Sequence, residues 1–184
     1  MSPKTHIIIH PKYNPASLRN DIALLILDVP FKLTDNVGLI CLSQRERQNV
    51  EGTCVATGWG KNSYRKGTYQ SILKKLELPL VSKDQCLSSL QQARLGPFFQ
   101  LHESFICAGG EANKDTCKGD GGSPLICPVI GNSNKFEQVG IVSWGLTCGV
   151  QNTPGVYVNV GIFNDWIDRT VESYGFSPNV YKSD

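Results

Sequence analysis

Seven cysteines in 184 residues constrain this chain more than any other feature, because each must be paired, hold a metal or stay reduced. No C-x-x-C pair occurs, and the three histidines, His6, His10 and His102, stand apart from the cysteines. That spacing argues against a zinc site. We therefore expect a disulfide framework formed in an oxidising compartment, with no bound metal and one cysteine left unpaired.

The overall composition is typical of globular proteins, with 40% hydrophobic and 18% charged residues and a net charge of +2. This near-neutral charge gives no reason to expect nucleic acid or an anionic membrane as a partner. The longest apolar run, residues 22–27, is far shorter than the roughly 20 residues that a membrane-spanning helix needs. No pattern indicates a cofactor.

Short runs rich in β-branched and aromatic residues, separated by Gly, Pro and Asn, predict an all-β protein. The predicted strands cover residues 7–9, 22–27, 54–59, 73–78, 105–107, 124–127, 139–144 and 155–160. Eighteen glycines and ten prolines supply the turns between them. Many short strands with frequent turns indicate a sandwich or a barrel.

Two helices interrupt the β pattern. Ser82 and Gln85 have the spacing of a capping box, which predicts a helix from Ser82 to about Ala93. A second helix is predicted after Asn164, because four apolar side chains fall on one helical face: Phe163, Trp166, Ile167 and Val171. Beyond Gly175 the chain is polar, and we expect a frayed tail.

Six motifs, in order along nearly the whole chain, resemble those of trypsin- and chymotrypsin-like serine proteases. They are Asn20–Leu25, Cys54–Gly60, Cys117–Leu125, Ser143–Gly145, Pro154–Tyr157 and Phe163–Ile167. The resemblance implies a trypsin-like double β-barrel with one intermediate helix and a C-terminal helix. Residues 1–42 would form part of an incomplete N-terminal barrel, 43–174 the C-terminal barrel with its closing helix, and 175–184 the tail.

The resemblance also implies how the cysteines pair. The expected bridges join Cys54 to Cys127, Cys86 to Cys107, and Cys117 to Cys148. Cys41 is left over, which implies a disulfide to an upstream segment that this sequence lacks. The chain would then be the C-terminal portion of a longer secreted protein. The alternative is a genuine short form whose half barrel is completed by a partner chain.

The resemblance stops at the catalytic residues. Proteases of this family need a serine nucleophile, a histidine base and an aspartate that orients it. Asp21 matches the aspartate, and we expect backbone amides to hold it. Gly121 stands at the nucleophile position, and Ser123 lies two residues too late to replace it. No Thr-Ala-Ala-His-Cys-like motif precedes Asp21, so the base is missing, and the three histidines are expected to be structural or solvent-facing.

Parts of the binding site match the family. The backbone N–H groups of Gly119 and Gly121 can form an oxyanion-hole-like site. Asp115 matches the acid at the floor of the specificity pocket, whose walls would be Ser143, Trp144, Gly145 and Gly155. This pocket either still accepts a Lys or Arg side chain or is a relic with a solvated acid. Asp120 resembles the carboxylate that pairs with the new N-terminus of a cleaved zymogen, so here it must be solvated, hydrogen-bonded or paired otherwise.

The sequence Cys117–Leu125, with glycine replacing the serine, is similar to that of arthropod clip-domain serine protease homologues, including the prophenoloxidase-activating-factor type. This similarity implies a secreted, non-catalytic cofactor that binds proteases or zymogens of an immune proteolytic cascade. Two alternatives stay open. One is an active trypsin-like endopeptidase, completed by an upstream segment and using Ser123. The other is a structural or adhesive module.

Overall fold

A computed structural model describes residues 5–44, 52–129 and 132–182. Its strands are β1 (Thr5–Ile9), β2 (Ala23–Leu27), β3 (Cys41–Leu42), β4 (Thr53–Gly58), β5 (Lys74–Val81), β6 (Phe105–Gly109), β7 (Pro124–Val129), β8 (Asn132–Trp144) and β9 (Pro154–Asn159). All the predicted strands are present, which confirms the all-β prediction. The additional strand, β3, is only two residues long and pairs in parallel with β8.

Six strands close into a barrel in the order β8, β7, β4, β5, β6 and β9, with β9 pairing back to β8. Side chains alternate along each strand, so every second residue of β4 points into the core. The barrel interior is filled by fully buried side chains, among them Leu78, Leu125, Val139 and Tyr157. This is the second barrel that the family resemblance implies.

The first barrel is represented by two antiparallel strands, β1 and β2, which pair from Thr5 with Leu27 to Ile9 with Ala23. Their large apolar side chains are exposed or half-buried, and those of the segment that follows are exposed. Ile22 is the exception, because it is buried against a cluster that includes Val158 and Phe163. The structure thus consists of a two-stranded sheet packed against a closed six-stranded barrel.

The three expected disulfides are present, and all of them lie in the second barrel region. They join Cys54 to Cys127, Cys86 to Cys107, and Cys117 to Cys148. The first bridges β4 to β7, the second ties a helix to β6, and the third holds together two loops between strands. Cys41 is half-buried and forms no disulfide with any other cysteine.

The helices begin where the sequence predicts. Helix α1 covers Lys83–Leu90 and continues as a π-helix over Gln91–Leu95, and the hydroxyl of Ser82 accepts a hydrogen bond from the Gln85 amide at 3.4 Å. Helix α2 covers Asn164–Ser173 and packs its apolar face on the barrel. No helix among the described residues is long and apolar enough to cross a lipid bilayer.

The tail differs from the expectation of fraying. Residues Pro178–Tyr181 form a short 3-10 helix, and Pro178 is buried. The hydroxyl of Tyr181 donates to Asp168 at 2.8 Å, and the ammonium of Lys182 lies 2.7 Å from the same carboxylate. The polar composition of the tail concealed these contacts, because its anchors are single residues that meet α2 only in the folded chain.

Candidate functional site

Gly121 lies in a turn just before β7, and the two residues that follow it are hydrogen-bonded to β8. The amide of Gly122 donates to the carbonyl of Val142 at 2.9 Å, and the amide of Val142 donates to the carbonyl of Ser123 at 2.8 Å. A β-carbon placed at Gly121 would meet no atom within 4 Å. The loop therefore has room for a serine side chain at position 121 but carries none.

Ser123 is held in a different part of the same loop. Its amide donates to the carbonyl of Asp120 at 2.9 Å, closing a tight turn, and the residue is half-buried. Its backbone is thus fixed two residues beyond Gly121.

Asp21 is bound by a side chain rather than by backbone amides. The hydroxyl of Ser143, on β8, donates to its Oδ2 at 2.7 Å. This corrects the expectation of a backbone-amide cradle, which the sequence could not resolve because the two residues are 122 positions apart. The bond joins the start of β2 to the second barrel and satisfies the half-buried carboxylate.

The three histidines have contacts of their own: His6 with Asp28, His10 with the rings of Phe163 and Trp166, and His102 with the hydroxyl of Ser104. In the described part of the chain, none of them hydrogen-bonds to Asp21. Burial, with a smaller effect of the Lys12 charge, lowers the pKa of His10 and favours a neutral ring packed on α2. These positions agree with structural roles.

The residues predicted for the pocket line one cavity of about 300 Å³. Asp115 lies in it together with the other predicted lining residues, Gly119, Gly121, Ser143, Trp144, Gly145 and Gly155. A β-carbon at Gly155 would approach Oδ1 of Asp115 to 3.0 Å, so a side chain there would crowd the acid. The cavity therefore joins the loop of Gly121 to a carboxylate.

Asp115 has one satisfied and one unsatisfied oxygen. Its Oδ2 accepts a hydrogen bond from the amide of Gly149 at 3.0 Å, whereas its Oδ1 is buried and has no partner among the described residues. The pKa of Asp115 is raised to about 7, mainly by burial and to a smaller extent by the charge of Asp120, while the amides of Gly149 and Thr116 act in the opposite direction. A cation in the cavity would supply the missing partner and favour the ionised form.

Asp120 is satisfied entirely by the backbone. Its Oδ1 accepts from the amide of Gly60 at 2.7 Å, and its Oδ2 accepts from the amide of Cys117 at 2.9 Å. Any β-carbon at Gly58 or Gly60 would collide with this carboxylate. The expectation that Asp120 needs a partner other than a new N-terminus is met by these two amides.

Residues 61–69 form a loop that packs on the segment containing Lys118 and Gly119. The sequence patterns did not single out this loop. Lys61 donates its amide to the carbonyl of Lys118 at 3.0 Å. Gly119 has a φ of 102°, and a β-carbon there would lie 2.6 Å from Cε1 of Tyr69. Sequence patterns did not reveal this contact, because the loop lacks the periodicity that indicates which side is buried.

An apolar groove of about 320 Å³ lies beside the cavity that contains Asp115. It is lined mainly by Leu18, Phe99, Phe105, Trp144 and Leu146. Trp144 also lines the Asp115 cavity, so the two depressions share a wall.

Comparison with known proteins yields a family and several relatives. A family model described as Trypsin matches residues 2–167. The chain is 50% identical over 179 residues to phenoloxidase-activating factor 2 of Galleria mellonella, covering 96% of this chain and 59% of that protein. It is 44% identical over 166 residues to inactive CLIP domain-containing serine protease A8 of Anopheles gambiae, covering 90% and 45%.

A more distant similarity connects the chain to a much larger protein. Protein masquerade of Drosophila melanogaster is 40% identical over 164 residues, which cover 89% of this chain and 15% of that protein. The chain thus spans less than two thirds of the length of each of these curated relatives.

Proposed function

This chain belongs to the trypsin family, and we propose that it is a non-catalytic member that binds and regulates components of an extracellular proteolytic cascade. The observation that carries the proposal is Gly121, which places a residue without a side chain where the family's nucleophile belongs. The names of several relatives, which call them inactive serine proteases, support the same conclusion.

Acyl transfer needs a hydroxyl and a base that removes its proton, and this site offers neither in the required place. Gly121 has no hydroxyl, and Asp21 is bonded to Ser143 rather than to an imidazole. The amides of Gly119 and Gly121 remain available for a carbonyl or an anion. Such a site binds a polypeptide without cleaving it.

The cavity that contains Asp115 favours a basic side chain as the group that enters it. None of the residues that the structure describes donates a hydrogen bond to Oδ1 of Asp115, and a Lys or Arg side chain would provide a charge-assisted donor. The adjacent groove with Trp144 would hold neighbouring residues of the same polypeptide. Proteases or zymogens of an immune cascade are the proposed partners, in keeping with the relative named a phenoloxidase-activating factor.

An extracellular location is part of this proposal. Three disulfides hold the second barrel together, and such bridges persist in oxidising compartments. We further propose that Cys41 is bonded to a segment outside this sequence, which would also cover the exposed apolar face of β1 and β2. Protein captured from extracellular fluid should then lose mass on reduction by the weight of a linked segment, or be a single species well above 20.2 kDa. A species of 20.2 kDa both before and after reduction would contradict this link.

The decisive test of the non-catalytic role is labelling with a fluorophosphonate probe. We expect no labelling of the chain, and none of a Gly121→Ser variant, because the added hydroxyl has no histidine base beside it. An active trypsin-like protease serves as the positive control. Labelling that disappears in a Ser123→Ala variant would instead support the alternative, an active endopeptidase using Ser123.

Benzamidine provides a separate test of the cavity. Its amidinium should bind the chain and should bind about 10- to 100-fold more weakly after Asp115→Asn, which removes a charge-assisted hydrogen bond. Affinity should rise with pH through about 7, because Asp115 ionises over that range. If calorimetry shows that benzamidine binds the original protein and the Asp115→Asn variant with equal affinity, this would favour the interpretation of Asp115 as a relic.

A further inference from the structure

The charges of this chain are distributed unevenly. Residues 52–76 contain five basic side chains and no acidic one, although the whole chain has a net charge of only +2. The remaining residues together therefore carry a net charge of −3. Lys118 joins the basic group, because its carbonyl accepts the amide of Lys61. We define the basic surface as Lys61, Arg65, Lys66, Lys74, Lys75 and Lys118.

Three members of the basic surface line a single cavity of about 210 Å³. Lys61 comes from the start of the loop over the site, whereas Lys74 and Lys75 come from the first residues of β5. The side chains of Asn62 and Gln70 add amide groups to the same lining. The fold thus brings cations from two segments to one concave place.

These cations are largely uncompensated within the protein. Lys75 lies 3.4 Å from Glu77, but both side chains are about two thirds exposed, so the pair contributes little. The ammonium of Lys61 lies 5.3 Å from the ring centre of Tyr69. Arg65, Lys66 and Lys74 have no ion pair with any residue that the structure describes. A group of uncompensated charges of one sign attracts ligands of the opposite sign.

We propose that the basic surface binds an acidic segment of a partner protein, a run of Asp and Glu side chains. This inference rests on the proposed function and deepens it by naming the chemistry of the partner. Asp115 and Thr116 line both this cavity and the one assigned to a basic side chain. The partner would therefore carry acidic residues close to a lysine or arginine.

A polypeptide fits this arrangement better than a sulfated polysaccharide does. The inner wall of the cavity contains Asp115 and Asp120, which oppose a ligand that is negative throughout. A polypeptide can place its carboxylates at the lysine rim and its cation at Asp115. Complementary patterns of this kind give specificity and raise association rates.

The test uses a fluorescein-labelled, N-acetylated hexaglutamate peptide and fluorescence anisotropy. We expect binding to weaken about tenfold or more between 50 and 300 mM salt, since exposed charges are screened. It should weaken at least tenfold in a triple variant of exposed residues: Lys66→Gln, Lys74→Gln and Lys75→Gln. A control variant removes the same charge from exposed lysines outside the surface: Lys12→Gln, Lys32→Gln and Lys135→Gln. Near-ultraviolet circular dichroism would verify that both variants fold.

Three results would overturn the proposal. One is an absence of hexaglutamate binding at 50 mM salt, and another is an equal loss in the two triple variants. The third is a heparin hexasaccharide that binds the same lysines more tightly than hexaglutamate, which would assign the surface to a polysaccharide. Each of these leaves the fluorophosphonate result unaffected, so the two proposals fail separately.

Discussion

The closed barrel and the β1–β2 region use similar apolar residues, but the barrel buries them far more completely. Leu78 and Leu125 in the barrel are completely shielded, whereas Ile7 is 66% exposed and Phe31 and Leu39 are each 76% exposed. Closure makes the difference, since six strands that return to the first enclose an interior and two strands cannot. An apolar pattern in the sequence therefore predicts that a strand forms, but it does not predict whether other residues bury the strand's apolar face.

The bonds that hold the chain together also differ between the barrel and the β1–β2 region. All three disulfides lie in the barrel region. The β1–β2 region is attached by Ile22, which is buried against the barrel, and by the hydrogen bond from Ser143 to Asp21. We therefore expect unfolding to be governed by the barrel, with the smaller region responding locally.

The largest effect should come from the disulfide that spans the barrel. Replacing Cys54 and Cys127 with alanine should lower the free energy of unfolding by about 4 kcal/mol, because the bond closes a span of 73 residues. The matched replacement of Cys86 and Cys107, whose span is 21 residues, should cost about 3 kcal/mol. Urea unfolding followed by tryptophan fluorescence measures both. A reversed order would show that chain closure does not set the stability of the barrel.

A matched pair of leucines compares the two regions directly. Leu78→Ala should destabilise the protein by about 3 kcal/mol, since it opens a cavity in a closed core. Leu25→Ala should change the same quantity by less than about 0.5 kcal/mol, because that side chain is 60% exposed. Equal losses in urea unfolding would mean that the face of β2 is covered in solution.

The bond between the regions should have an intermediate effect. Ser143→Ala should cost about 2 kcal/mol, because it leaves the half-buried carboxylate of Asp21 without its donor. Amide exchange in β2 should accelerate more than exchange in β5 does. A double-mutant cycle with Asp21→Asn isolates the pairwise contribution, and a coupling near zero would contradict this attachment.

The smallest effect, taken per unit of pH, concerns the pH dependence of the barrel region. The pKa of Asp115 is about 7 in the folded protein and near 3.8 ordinarily, so the folded state holds the extra proton between those values. The contribution of Asp115 to the free energy of unfolding therefore decreases as pH rises from about 4 to 7. Asp115→Asn should remove this decrease, which is about 1.4 kcal/mol for each unit of pH over that range. Thermal melting from pH 4 to 8 measures it, and parallel curves for the two proteins would refute it.

The sequence predicted the strands well where apolar residues alternate or cluster. It placed the start of β8 at residue 139, whereas the strand begins at Asn132. The first half of β8 is polar and is held by pairing with β7, for example Cys127 opposite Glu137. Backbone pairing of this kind leaves no apolar signature, so hydrophobic pattern alone cannot locate it.

The part of the candidate site that lies in one contiguous motif could be predicted from the sequence. Asp115, Gly119 and Gly121 were located from one short segment, and the structure brings them to a single cavity. The bond of Asp21 to Ser143 and that of Asp120 to Gly60 were not predicted, because the two residues of each bond are far apart in sequence. The packing of Tyr69 on Gly119 was missed for the same reason.

The amide cradle of Asp120 also bears on how this chain can change over generations. Since any larger residue at Gly58 or Gly60 would displace the carboxylate from its two donors, neither glycine can be exchanged by itself. A first substitution would have to be accompanied by the loss of the acid. Among descendants of this sequence, we therefore expect these three positions to drift as one inherited unit or to remain fixed.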